Sequence, residues 1–453
     1  MKSQSKLIVA ASVAIGLGLF PGPAPMAEDS AMLELIKILY QKGSIDQAEY
    51  DALMKVAQEE AETQEAVEKH AAEAPTIKTE TGLTITSADQ QSEWDISGRV
   101  QADAAFFNDA TDNDGNRVPL PDFGHEIRRA WLSVNGKLWG DWKLKLQYAF
   151  AAQNVQDAWL SYGGFPGKTT LKIGRFKEPF SISQATGNGN TTFLERPAPV
   201  NAIAPFRSTG IQLSTQLGGV SVLTAGLFGE GTDAGGFGVT PSFGFTGRAT
   251  FVPIRNDNRV LHFGSAFSIR DGGDDERVRF RERFETRVTN TRLVDTGFLT
   301  EVDGFTKFNL ESAFVQNRLS LQGEYLRTSV DRAFESGGDV DFDGFYLTGS
   351  FFLTPDTRPY NFGGGKFGGV KPSNPVGQGG AGAWQVGFRY SDLSLADGNV
   401  DGGDQSILSA VLNWYPQRNL RFSVNYNRVI EHEGGNFPGA EPAAVTARAQ
   451  VTW

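Results

Sequence analysis

The sequence predicts an all-β fold, a transmembrane antiparallel β-barrel of about sixteen strands with an N-terminal helical, coiled-coil-like extension. Three observations predict it. From Glu93 to Trp453 apolar and polar residues alternate with period two, the pattern of strands whose two faces meet different media. The connections between these runs alternate between tight and long, as in barrels with turns at one mouth and loops at the other. Aromatic residues gather at the ends of the runs, where a membrane–water interface holds them.

Lys2 and Lys6 precede an uncharged apolar run, Leu7 to Phe20, that Pro21, Pro23 and Pro25 interrupt before the small residue Ala27. A run this short, closed by breakers, reads as an export leader over residues 1–27 rather than a membrane helix. No other stretch approaches the roughly 18 apolar residues a spanning helix needs. The chain holds no cysteine, which excludes disulfide scaffolds, thiolate metal sites and lipid attachment through a thiol. With 53 glycines, 11% aromatics and only 40% hydrophobic residues, short strands and Gly-rich turns suit the composition better than one large helical core.

Residues 28–75 are helical in pattern. Met32, Leu33, Leu35, Ile36, Leu39 and Tyr40 recur along a first segment that stops at Gly43. Ser44 as N-cap, with Gln47 three residues on, predicts a capping box opening a second helix. Its apolar stripe, Tyr50, Leu53, Met54, Ala57 and Ala61, is too narrow to make a core alone. A short coiled coil between identical chains is expected in preference to a solvated linker helix. From Glu28 to Ala74 twelve acids face four lysines, so this segment supplies −8 of the formal charge of −11. The acidic total argues against a nucleic-acid partner but says nothing about the barrel interior. A Thr-, Ser- and Gln-containing linker covers 76–92, and the barrel follows over 93–453.

Strands are expected to begin near Trp94, Glu126, Trp142, Val155, Thr169, Thr209, Val220, Ser242, Arg259, Asp303, Arg318, Val340, Ala383, Gln405, Asn419 and Ala443. The alternation is clearest where Leu420, Phe422, Val424 and Tyr426 oppose Arg421, Ser423, Asn425 and Asn427. Tight turns fall at Trp139–Asp141, Leu217–Gly219, Gln316–Asn317 and Pro416–Arg418; long connections are expected at 108–125, 176–208, 229–241, 271–302, 330–339 and 394–404. Trp94, Phe106, Trp142, Phe150, Tyr162, Phe228, Phe251, Trp384, Trp414 and Tyr415 are the expected girdle, which would meet outer-membrane lipid and lipopolysaccharide. The last strand alternates to an aromatic end at Trp453, the kind of ending that barrel-assembly machinery reads. One segment does not conform: Thr354 to Gly382 is long, Gly- and Pro-rich, and falls on the side of the tight turns. It is either a real excursion there or a sign of a miscounted strand pair. Closure is required in either case, because an open edge in hydrocarbon leaves backbone groups unpaired.

If the apolar faces meet lipid, the other faces line water and their charges set selectivity. The inward basic residues are Arg99, Arg129, Lys137, Lys143, Lys145, Lys172, Arg248, Lys307, Arg389, Arg421 and Arg448, against the acids Asp95, Asp103, Asp157, Glu311 and Glu324. This excess predicts a bore that favours small anions. The connection after the fifth strand carries Lys177, Arg196 and Arg207 beside Glu178 and Glu195; folded inward it would form the constriction, where partly desolvated cations count most. The bland alternatives are mutually paired lumen charges and an external loop. Catalysis has little support: His70, His125, His262 and His432 are scattered, no metal-ligand spacing is visible, and Asp112–Gly115 lacks the acidic twelfth position of a calcium loop. No cofactor is expected.

Four stretches resemble the phosphate-selective porins O and P: Ile38–Asp46, Gly174–Ser181 with its Lys-Glu-Pro-Phe element, Phe193–Pro197 with Leu-Glu-Arg, and Gly382–Ser391. The resemblance implies a sixteen-stranded homotrimer with a periplasmic helical extension, and an inward loop whose cations conduct phosphate or polyphosphate. Lys177, Glu195 and Arg196 fall at those motif positions. A general anion porin, a structural or adhesive outer-membrane protein with a plugged bore, and a transporter of a larger organic solute, with Trp131, Trp159 and Tyr346 as lumen aromatics, are the alternatives.

Overall fold

The computed structural model describes residues 28–79, 82–229, 243–272 and 277–453, and the leader expected at 1–27 lies outside the described residues. The chain divides into two units, Met1–Ala74 and Pro75–Trp453.

In the first unit, helix α1 (Glu28–Gln41) and helix α2 (Gln47–Glu73) are joined by a five-residue turn around Gly43. Gly43 sits at φ 69°, the left-handed conformation in which a missing Cβ removes the steric cost. It lets the Ser44 N–H reach back to the Leu39 carbonyl at 3.0 Å, the bond that closes a helix C-terminus. Ser44 is therefore committed to ending α1. The capping box lies two residues further on: the Glu49 N–H donates to Asp46 at 2.8 Å and the Asp46 N–H donates to Glu49 at 3.0 Å. Tyr40 and Tyr50 stack across the turn at 4.6 Å.

The second unit is the barrel. Sixteen long strands close it: β1 (Glu93–Phe107), β2 (Phe123–Leu138), β3 (Trp142–Ala149), β4 (Asn154–Phe165), β5 (Thr169–Lys177), β6 (Arg207–Leu217), β7 (Ser221–Gly229), β8 (Phe243–Asn256), β9 (Arg259–Asp271), β10 (Val302–Gln316), β11 (Leu319–Arg332), β12 (Val340–Phe352), β13 (Ala383–Asp397), β14 (Val400–Gln417), β15 (Leu420–Glu433) and β16 (Ala443–Thr452). Each pairs antiparallel with the next, and β16 pairs with β1 from Ala444↔Phe107 to Thr452↔Arg99, so no long edge is left open. The expected strands are all present. Along β15 the alternation is as read: Arg421, Ser423, Asn425 and Asn427 are buried while Phe422, Val424 and Tyr426 face outward. At the closure Trp453 lies against Gly98, where a Cβ would stand 2.2 Å from the indole, and two backbone bonds join the pair. The terminal aromatic thus seats into a notch that only glycine leaves open.

Several connections differ from expectation. The hairpin between β13 and β14 turns at 398–399, so the region read as a long loop at 394–404 is mostly strand. Within the expected girdle Phe228 and Tyr415 are buried, because each falls on the inward face at its strand end; Phe228 packs on Phe176 at 5.7 Å. Trp384, Trp414 and Phe422 do form an outward stack, at 5.5 and 5.6 Å.

The lumen is largely filled by three inward segments. Residues 178–206, carrying the short helices α3 (Ile182–Ala185) and α4 (Ala198–Ile203), and residues 278–299 descend from the loop end; the first is mostly buried and the second is buried around its tip, 282–286. From the turn end rises the segment 353–382, the one that broke the pattern. Its short hairpin, Tyr360–Asn361 with Lys366–Phe367, packs under α3. Ile182 and Phe367 join Val252, Val260, Ala313 and Val315 in one dry cluster. The strand count is right and the excursion is real: it turns into the barrel. Val252, Val260 and Val315 point inward because these segments cover them, so a purely polar lumen face is not required there.

Candidate functional site: a cation-lined passage

The inserted segments pack mainly against β8 to β16 and leave space along β1 to β10. Two cavities occupy it, about 640 Å³ toward the loop end and about 450 Å³ toward the turn end. Trp131, Lys177, Glu178, Asn188 and Arg207 line both, which places the narrow point of the passage at these residues. Thirteen basic side chains and three acidic ones line the outer cavity. Seven basic and two acidic ones line the inner.

The narrow point is built from three strands and one loop. Trp131 of β2 presents its ring to the guanidiniums of Arg99, Arg129 and Arg207 at 5.7 to 5.8 Å, a geometry in which the ring face attracts each cation. Arg207 opens β6 and donates to Asp157 of β4 at 2.7 Å, and Lys145 of β3 meets the other oxygen of Asp157 at 3.0 Å. One acid is thereby shared between two bases. Lys177 closes β5 and donates to the Gln184 carbonyl at 2.5 Å. Lys172 lies over the Trp159 and Phe176 rings, each at 5.0 Å.

Above the narrow point a bulge changes the charge count. Ile127 pairs with Ala102 and Arg129 with Gln101, leaving Arg128 as the extra residue. Both Arg128 and Arg129 therefore face the interior. Arg128 forms a two-bond fork on Glu195, at 2.8 and 2.9 Å, and Arg448 adds a third bond at 2.8 Å. Burial opposes ionisation of the Glu195 carboxyl, but Arg128, Arg129 and Arg448 together hold it well below the usual carboxylate range.

Of the twelve cations expected at the passage, Lys177, Arg196, Arg207, Lys145, Lys172, Arg129, Arg99 and Arg248 line one or both cavities. Arg196 also clamps the end of α3, donating to Ser183, Gln184 and Thr186 carbonyls at 3.0 to 3.3 Å. Arg248 is split between Glu311 and the Gly365 carbonyl at 2.6 and 2.7 Å. Lys143 shares the face of Lys145 but is exposed near the turn end. Arg389, Arg421 and Arg448 line neither cavity. They anchor loop to wall: Arg421 donates to the Thr191 and Thr192 carbonyls at 2.6 Å, Arg448 grips Asp103 and Glu195, and Arg389 lies 4.2 Å from the Phe193 ring and pairs with Glu285.

Sequence reasoning missed Arg128, Arg281, Arg283, Arg287, Arg292 and Lys366, which also line the passage. The alternating Arg run from 277 to 292 was a signal, since so dense a basic stretch is costly to bury except beside acids or water. The bulge at Arg128 left none. The five acids expected in the lumen are all engaged, and four of them line neither cavity. Asn135 donates to Asp95 at 2.8 Å, Asp103 is held by Arg448, Glu311 accepts the Ile182 N–H at 2.6 Å, and Glu324 accepts the Ser183 N–H at 2.9 Å. Glu311 and Glu324 hold the loop in place, and the surplus of cations remains on the passage.

A family model described as phosphate-selective porin O and P matches residues 95–453. Porin O of Pseudomonas aeruginosa is 28% identical over 387 residues, 77% of this chain and 86% of that protein. An uncharacterized protein of Caulobacter vibrioides is 32% identical over 324 residues, 69% of this chain and 64% of its own length. Among solved structures, the outer membrane channel DcaP of Acinetobacter baumannii aligns with a TM-score of 0.52 at 11% identity, over 80% of this chain and 97% of that one, and shares the fold. The closed sixteen-stranded barrel, the inward loop and the family match over the whole barrel lead to one assignment: this chain belongs to the phosphate-selective porin O and P family and is an outer-membrane porin.

Proposed function

We propose that the chain forms a channel for passive diffusion of small anions across the outer membrane, with inorganic phosphate and polyphosphate among its solutes. One observation carries the reading. Basic residues outnumber acids thirteen to three and seven to two along the two halves of the passage, although the chain as a whole is acidic. The narrow point adds the chemistry a phosphate needs: Arg207, Lys177 and Arg99 are forks and point charges that match tetrahedral oxygens. The shared Asp157 keeps them from being so cationic that an anion could not leave, since conduction needs weak, multiple binding. The outward apolar face suits outer-membrane lipid and lipopolysaccharide. A homotrimer fits the flat patch where β16 meets β1, in which Ala102, Ala104, Ala447 and Ala449 sit side by side; small side chains let barrels approach closely.

Planar-bilayer recording tests this. Under a potassium chloride gradient the reversal potential should take the sign of chloride permeability, and added phosphate should block chloride current at low concentration. Anion selectivity without block would favour the second reading, a general anion porin, which the extensive pairing of the lumen cations supports. Cation selectivity, or silence, would overturn both.

A further inference from the structure

The passage depends on where the second descending loop, 278–299, is held, and one acid outside the passage ties its tip to the first loop and to the barrel wall. Phe284, Glu285 and Thr286 form the innermost point of this loop, each buried to within 2% of full coverage. Glu285 adopts φ 60°, a left-handed backbone that a residue with a Cβ takes only when its surroundings compel it. Its carboxylate has two oxygens and four donors. Oε1 accepts the Ala198 N–H at 2.9 Å and the Ser391 hydroxyl at 2.6 Å. Oε2 accepts the Ser409 hydroxyl at 3.0 Å and a bond from Arg389. The backbone carbonyl accepts from Asn427 at 2.9 Å. These partners lie on α4 of the other descending loop and on β13, β14 and β15.

Around this point the loop is stiff. Arg283 donates to the Thr289 carbonyl at 2.7 Å and to Asn290 at 2.7 Å, closing the tip into a compact turn. Arg281 and Arg283 precede Glu285, Arg287 and Arg292 follow it, and all four line the outer cavity, which Glu285 does not. Thr291 on the Pro119 carbonyl and Asn436 against Leu293 tie the flanks of the loop, at 2.8 Å each, so loss of the buried carboxylate releases the compact tip between them.

We propose that Glu285 is a positioning residue: it pins the loop 278–299 inside the barrel, and so sets both the width of the outer vestibule and the density of arginine along it. The inference rests on the anion-channel reading for what the arginines do, but not for where the loop sits. Two readouts separate these.

The test uses the full chain with Glu285→Ala, and Glu285→Gln as a milder variant that keeps an acceptor for the Ala198 N–H. Because the protein has no cysteine, Thr289→Cys in each background reports loop exposure through its rate of modification by an impermeant thiol reagent added from the loop side. Expected for Glu285→Ala are a rise of tenfold or more in that rate, a larger single-channel conductance in potassium chloride, and a reversal potential shifted toward zero. Glu285→Gln should be intermediate in all three, and unchanged heat-modifiability on gels would show the barrel intact. A modification rate and conductance equal to the parent's in both variants would overturn the pin. Failure of the anion reading would show separately, as a parent channel that does not prefer chloride.

Discussion

At the residue scale the passage is governed by which charges are paired and with what. Asp157 accepts from both Arg207 and Lys145, so removing Arg207 subtracts a cation and leaves the acid half as well compensated. Hydrogen bonds to charged groups contribute about 1.5–3 kcal/mol. Arg207→Ala should therefore raise the half-blocking concentration of phosphate by roughly tenfold or more, read from chloride current in planar bilayers, and Asp157→Asn in the same chain should recover part of the loss. Glu195 acts differently, since its partners Arg129 and Arg448 are buried and Arg128 is partly buried. Glu195→Gln leaves buried cations short of a counter-charge, a change that typically costs about 3–5 kcal/mol. It should lower the urea midpoint for barrel unfolding in lipid vesicles, followed by tryptophan fluorescence. The sign with pH follows from the depressed carboxyl. The stabilisation is present above the unfolded carboxylate pKa and is lost only as pH falls well into the acid range, so parent and variant should differ at neutral pH and converge in strong acid.

At the element scale the inserted segment 353–382 matters most. Its hairpin covers Val252, Val260, Ala313 and Val315, while Tyr360 bonds His262 at 2.6 Å and His262 in turn bonds Glu311 at 3.0 Å. Replacing residues 359–368 by a Gly-Ser linker should widen the bore, with conductance rising at least about twofold, and lower anion selectivity because Glu311 would then face water. Bilayer conductance and reversal potential measure both. The same segment shows where sequence reading stops. All sixteen strands were legible because period-two burial is a local property, and Leu420 to Asn427 announce their two faces without reference to the rest of the chain. Which long connections turn inward was not legible for 353–382 or 278–299, since that depends on contacts such as Phe367 with Ile182 and Glu285 with Arg389 between residues a hundred or more positions apart. Arg128 was hidden for a related reason: one extra residue in β2 breaks the periodicity on which the assignment rested. The cap at Asp46 was missed because Ser44, equally suitable, was already used to close α1.

At the scale of the whole molecule the chain carries −11, yet its passage is basic. The two facts are compatible because the N-terminal helical segment holds most of the surplus acid and the lumen acids are engaged by neighbouring side chains and loop N–H groups, four of the five away from the cavities. Selectivity then arises from a local field, and a local field has a measurable reach. In about 0.01 M salt the screening length is roughly 30 Å and falls to about 3 Å at 1 M. At low salt every arginine of the outer vestibule should act together on an approaching ion; at high salt only the cations at Trp131, Lys177 and Arg207 remain close enough to discriminate. The permeability ratio of chloride to potassium, taken from reversal potentials at fixed gradient ratio, should therefore fall steeply as mean salt rises and then level off above unity. A ratio independent of salt would mean that contact at the narrow point alone selects, and that the vestibule arginines contribute nothing. A ratio falling to unity would mean the reverse, that the vestibule does all the selecting and the narrow point none.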